Sequence, residues 1–223
     1  MSSDFKLDIT PRLLLRAYGI GVFPMAEDAG ADELLWFDPQ NRGILPLDGG
    51  FHVPRRFKRT LRQHPYRISV DRDFYRTITA CAASTESRPR TWINGEIIAL
   101  FCELHDMGHA HSVEVWEGET LVGGLYGVAL GAAFFGESMF SRRPETSKIA
   151  LTHLVGRLRV GRFQLLDTQF VTDHLRQFGA IEIYREQYKE LLAAAIAMPA
   201  SFYRCSSEDA ALDAVMQPST VTS

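Results

Sequence analysis

The chain has 223 residues, of which 46% are hydrophobic and 23% charged, with a net charge of −3. That composition fills a core without staples and excludes disordered, collagen-like and disulfide-framework classes. Three scattered cysteines (Cys81, Cys102, Cys205) suit a reducing cytoplasm, the apolar run 121–135 is too broken by glycine to span a membrane, and residues 1–6 lack the apolar segment of a secretory signal.

In chain order, Thr10-Pro11 reads as a cap and first turn for a short helix through Tyr18, ended by Gly19, Gly21 and Pro24. Residues 34–37 read as a strand, Asp38 to Asn41 as a turn, and 44–47 as a second extended piece. A basic helix follows Pro54. Residues 50–76 hold eight Lys or Arg and two acids, a local +6, while the remainder carries −9. In helical spacing Arg55, Arg59 and Arg62 share one face, and Phe57 and Leu61 another. With Arg56 and Lys58 this is either a solvated face or a ridge for nucleic-acid phosphates. A strand at 66–70 and a helix near 73–82 complete an N-terminal lobe, expected over residues 1–83. The polar loop 84–89 marks its boundary.

The second expected domain covers 84–205. Its helix at 94–107 carries Ile97, Ile98, Phe101 and Leu104 as one stripe. Strand-like runs at 109–116, 120–129 and 132–139 come next, joined through Gly118 and Gly131 as hairpins. A helix at 145–160, a strand at 163–168, a helix at 173–178, a strand at 181–184 and a helix at 187–198 complete it. Residues 206–223 read as a flexible tail. The order specifies an α+β domain with a mixed central sheet.

Three segments carry candidate chemistry. Glu137 lies inside the apolar run Phe135-Gly136-Glu137-Ser138-Met139, so it must pair, face a cleft or hold its proton. Asp167 and Gln169 are two apart on a strand and should share a face, with Thr168 pointing away. Such a pair either caps the next turn or orients a nucleophile and donates to an oxyanion. The run His105 to His111 mixes a helix end with a strand, and no metal-ligand spacing is present, so no metal and no cofactor is expected.

The motifs AYGIGVFPM (17–25), WFDPQNRGILPL (36–47), GHAHSVEVW (108–116), LVGGLYG (121–127), FGESMFS (135–141) and LDTQFVTDHL (166–175) together resemble those of the bacterial leucyl/phenylalanyl-tRNA–protein transferases, over residues 10–192. The resemblance implies a small N-terminal lobe on an acetyltransferase-like domain, in which two strands splay to hold an acyl donor. It implies transfer of Leu, Phe or Met from tRNA to proteins beginning with Arg or Lys, marking them for N-degron degradation. Mapped onto the matching positions, Asp167, Gln169 and Glu137 line the reaction centre. Leu125, Phe134, Met139 and Leu154 form the aminoacyl pocket. Tyr18, Met25 and Trp92 contact the terminal adenosine, with Met25 standing where some members have Trp. Arg55, Arg56, Lys58, Arg59 and Arg62 would hold acceptor-stem phosphates. The partners implied are aminoacyl-tRNA and an Arg- or Lys-initiated protein, the location cytoplasmic, the state monomeric. Two rivals fit parts of the pattern. One is an acetyl-CoA-dependent N-acetyltransferase, although the loop 141–147 lacks the glycines that cradle a pyrophosphate. The other is a non-catalytic RNA-binding module, which leaves Glu137 unexplained.

Overall fold

The computed structural model describes residues 9–26, 34–84 and 91–216. Helix α1 (Pro11–Gly19) begins at Thr10, whose hydroxyl accepts from the Leu13 amide. Strands β1 (Phe23–Ala26) and β2 (Leu34–Phe37) form a separate antiparallel hairpin, pairing Phe23 with Phe37 and Met25 with Leu35. The sequence hides β1, because Gly21 and Pro24 are breakers. A two-stranded hairpin has only edges, where proline is tolerated.

Strand β3 (Asn41–Ile44) lies earlier than the expected piece at 44–47. Asn41 and Gly43 are turn formers by type, and the strand exists because two others pair with it. Next come α2 (Arg55–Gln63), β4 (Arg67–Val70), α3 (Phe74–Ala82), α4 (Gly95–Asp106), β5 (Ala110–Glu117), β6 (Thr120–Leu130) and β7 (Ala133–Ser141). Then α5 (Thr146–Val160), β8 (Leu165–Gln169), α6 (Asp173–Arg176), β9 (Ile181–Tyr184), α7 (Arg185–Ile196) and α8 (Glu208–Met216) complete the order.

Among the described residues seven strands form one mixed sheet in the order β4-β5-β6-β7-β8-β3-β9. Neighbours are antiparallel except β7 and β8. The expected lobe 1–83 therefore does not keep its strands to itself: β3 inserts between β8 and β9, and β4 forms the opposite edge. Reading along the chain cannot see such pairings, which for β3 join residues more than a hundred positions apart. Most of the boundary loop lies outside the described residues. Apolar clusters cover both faces of the sheet, one around Tyr18, Phe101, Tyr126 and Phe135, the other around Phe57, Phe134, Leu154 and Phe178. This explains why β5 and β6 are buried along most of their length. No helix among the described residues is long and apolar enough to cross a membrane.

The expected tail is corrected over residues 208–216. These form α8, which packs on α5 and buries Ala211 and Val215. Gly156 permits the contact, since a Cβ there would collide with the Ala211 carbonyl. Arg157 reaches out from α5 to the Phe202 and Cys205 carbonyls and to Glu208. A polar composition suggested fraying, but small residues at 210, 211 and 214 suit close helix packing. Residues 217–223 of that tail lie outside the described set.

Candidate active site

Strands β7 and β8 pair only over three residues, Ala133 with Leu165, Phe134 with Leu166 and Phe135 with Asp167. Beyond that point β7 stays on β6 as far as Ser141, and β8 turns toward β3. The fork holds a cavity of about 580 Å³.

Each arm of the fork carries a bulge. On β7, Tyr126 pairs with Ser138 and Gly127 with Gly136, leaving Glu137 as the extra residue. On β8, Gly43 pairs with Gln169 and Ile44 with Asp167, leaving Thr168 extra. A bulge reverses side-chain parity and re-aims the residues beyond it. Thus Met139 packs with the α5-side cluster although Phe135, four residues earlier, belongs to the other. Likewise Thr168 lines the cavity, against the expectation that it faces away.

The cavity floor is apolar. Leu125, Met139, Leu151, Leu154 and Leu166 line it, so three of the four expected pocket residues are present. Phe134 is not on the wall. It is fully buried deeper in the same cluster, against Phe163 and Phe202. Met25 and Trp92 stand on the wall with Phe23, whereas Tyr18 does not. Tyr18, which the resemblance sets against adenosine, is wholly buried and donates to Glu137 Oε1 at 2.7 Å.

Gln169 and Asp167 meet in a way the alternation of a strand does not provide. Gln169 sits at φ +57°, a left-handed conformation that costs a non-glycine residue about 1–3 kcal/mol and recurs at functional sites. Its backbone N–H donates to Asp167 Oδ1 at 2.8 Å, and its side-chain Nε2, buried on the cavity side, has no hydrogen-bond partner among the described residues. Asp167 itself is fully buried and off the wall. Arg42 Nε and Nη2 donate to its carboxylate at 2.9 and 2.6 Å, and the Tyr188 hydroxyl donates at 2.6 Å. The Arg42 guanidinium lies 4.4 Å from the Phe23 ring centroid and 4.5 Å from that of Tyr188. Burial lowers the Arg42 pKa, but Asp167 more than offsets it and the net shift is upward. Burial, then Asp167, pushes the Tyr188 hydroxyl well above its ordinary value. Sequence reading found Asp167 and missed both partners. A carboxylate in a strand demands a cation, and Arg42 is the basic residue embedded in NRGI, but its turn-like neighbours concealed it.

Glu137 is pushed up to about 8, first by burial and then by the Asp167 charge, while Tyr18 and Arg42 pull the other way. Glu114, in the same sheet, is fully buried. It accepts from the Ser69 and Ser112 hydroxyls and the Asp73 amide, so its role is structural.

On α2, Phe57 and Leu61 are buried, and Arg55, Arg56, Lys58, Arg59 and Arg62 are all exposed. Arg55, Lys58, Arg59 and Arg62 with His52 border a surface hollow of about 590 Å³, from which Arg56 is turned away. Among the described residues none of these five makes an ion pair with a carboxylate. The histidines of 105–111 have protein partners: His105 stacks on Phe74 and meets the Ala110 carbonyl, His109 meets that of Ala129, and His111 meets Asp71.

Residues 44–193 match the family model of the leucyl/phenylalanyl-tRNA protein transferase, and residues 7–40 match its N-terminal domain. A leucyl/phenylalanyl-tRNA–protein transferase of Paramagnetospirillum magneticum is 59% identical over 196 residues, covering 88% of this chain and 93% of that one. One from Cereibacter sphaeroides is 57% identical over 194 residues, covering 87% and 88%. The forked cavity, the Asp167–Gln169 turn and the motifs around them thus lie within the matched region, and the chain belongs to the leucyl/phenylalanyl-tRNA–protein transferase family.

Proposed function

We infer that this protein transfers Leu, Phe or Met from aminoacyl-tRNA to the α-amino group of proteins that begin with Arg or Lys. The carrying observation is the unpartnered side-chain Nε2 of Gln169, a residue on the wall of an apolar cavity. The apolar floor takes an unbranched or aromatic side chain, and it tolerates several, because one methylene changes binding by only about 1–3 kcal/mol. The ester carbonyl of the donor then lies near Gln169, Glu137 and Thr168. The neutral acceptor amine attacks this carbon, a C–N bond forms, and the C–O bond to the ribose breaks. The proton shed by the amine ends on the ribose oxygen.

Gln169 donates through Nε2 to the oxyanion that develops during attack. Asp167 acts as a positioning residue, because its oxygens are taken by Arg42, Tyr188 and the Gln169 amide. It fixes the turn that aims Gln169. Glu137 faces the cationic side of the reaction, the acceptor's α-amino group or its basic side chain. Met25 and Trp92 flank the terminal adenosine, and the α2 cations hold stem phosphates.

The splayed strands support an acetyltransferase-like fold label, the N-degron role and the cytoplasmic site accompany the substrate reading, and we take the protein as a monomer. Acetyl-CoA is the weaker donor. At the α5 N-terminus the Ser147 amide is already taken by the Ser141 hydroxyl, and the Thr146 amide donates to the Arg143 carbonyl.

The test is transfer of labelled leucine from charged tRNA to an Arg-initiated peptide. Gln169→Ala should lower kcat by about 10²–10³-fold, as loss of an oxyanion donor does, with KM for the tRNA within a few fold. Absence of transfer by the wild type refutes the reading, and near-normal turnover of the variant removes Gln169 from the mechanism.

A further inference from the structure

Arg142 directly succeeds the end of β7, where the sheet meets the loop to α5. Among the described residues it is the one arginine or lysine on the wall of the forked cavity. Its guanidinium is held in place: Nη1 donates to the Leu121 carbonyl at 3.2 Å, and Cζ lies 5.4 Å from the Phe140 ring centroid. The backbone below is fixed as well, with the Arg142 N–H donating to the Val122 carbonyl at 2.7 Å. Nε and Nη2 make no hydrogen bond among the described residues, and no carboxylate of that set lies within ion-pair distance. The acids nearby are committed elsewhere, Glu117 to Arg143 and Glu145 to Lys148.

An oriented cation with most of its donors idle, on the wall of a cavity, is prepared for an anion. Guanidinium groups match phosphate oxygens with two parallel donors, and stacking on Phe140 reduces the rotamer freedom lost on binding. The position suits one particular phosphate. Arg142 is five residues past Glu137, about 16 Å along an extended strand. That is a length that a few nucleotides cover. The Arg142 ring partner Phe140 shares the wall with Trp92 and Met25, on the side proposed for adenosine.

Resting on the aminoacyl-tRNA reading, we propose that Arg142 binds a phosphodiester joining the last nucleotides of the donor. The α2 ridge grips the stem at a distance, which leaves the single-stranded end free to swing. Arg142 tethers that end beside the reaction centre and keeps the ester over Gln169, a gain in orientation rather than in chemistry.

A ladder of donors tests this. Leucyl-adenosine carries no phosphodiester, leucyl-CpA one, leucyl-CpCpA two, and leucyl-tRNA the whole chain. Arg142→Ala should lower kcat/KM by about 10-fold on donors that contain the contacted phosphodiester, the order expected for a charge-assisted hydrogen bond. It should leave leucyl-adenosine within twofold. Arg142→Lys should recover part of the loss, because charge survives and the fork does not. Equal loss on every donor, which is the signature of a merely structural role, overturns the proposal, and so does no loss on any. Transfer by the wild type from none of the four overturns the aminoacyl-tRNA reading, and this proposal falls with it.

Discussion

Glu137 and Asp167 sit on neighbouring strands and carry the same functional group, yet their surroundings part them. Asp167 has four donors from Arg42, Tyr188 and the Gln169 amide. Glu137 has the Tyr18 hydroxyl, and burial outweighs it. In the unfolded chain Glu137 titrates near the ordinary 4.5, and in the folded protein near 8, so the folded state holds the extra proton between those values. Its contribution to stability is complete below 4.5 and drains away as pH rises toward 8. Urea denaturation of the wild type and of Glu137→Gln at pH 5, 6, 7 and 8 reads this directly. The wild type should lose stability relative to the variant as pH rises. Parallel profiles would show that Glu137 titrates normally. Both carboxylates were legible in the sequence, because an acid inside an apolar strand demands a partner or a cleft. Their partners were not, since Tyr18, Arg42 and Tyr188 come from three elements that only the folded sheet brings together.

At the scale of elements, periodicity located β5, β6, β7, β9, α4 and α5 to within a few residues, since each runs long enough or apolar enough to announce itself. It failed for β1 and β3, four residues each, whose strand character comes from pairing. It also failed for the two bulges. An extra residue in one strand leaves no mark on composition, yet it decides that Thr168 meets the cavity. The C-terminal helix was hidden differently, by small polar residues that suit a tight helix contact as well as a tail. Gly156→Ala tests that contact. The added Cβ meets the Ala211 backbone, which cannot rotate away, so α8 must shift. We expect a loss of about 1–3 kcal/mol, the usual cost of overpacking, with faster amide exchange across residues 208–216. Ser147, Leu151 and Leu154 present the cavity side of α5, away from Gly156, so leucine transfer well below the melting temperature should stay within twofold. An unchanged melting temperature would mean that α8 rests on α5 only loosely.

Over the whole molecule, charge is unevenly placed. A chain of net −3 concentrates its cations in residues 50–76, and α2 bears five of them on solvent. Two of these, Arg55 and Arg56, stand in the first turn of the helix, where the macrodipole disfavours positive charge, and Pro54 supplies no side-chain cap. An arrangement that opposes local helix stability and has no carboxylate partner among the described residues needs a reason outside the fold, and a polyanion supplies one. Replacing Arg55, Arg59 and Arg62 by Glu should therefore not unfold α2. Phe57 and Leu61 still anchor it, and Glu in place of Arg55 suits the dipole better. Binding of charged tRNA, measured against salt concentration, should weaken most at low salt. Its log–log slope should flatten by about 3 if each arginine neutralises one duplex phosphate. The reversal should leave transfer from leucyl-adenosine unchanged, because that donor has no stem to lose. A slope that stays as steep as in the wild type would remove α2 from the tRNA interface and leave the fork between β7 and β8 to hold the donor by its 3′ end alone.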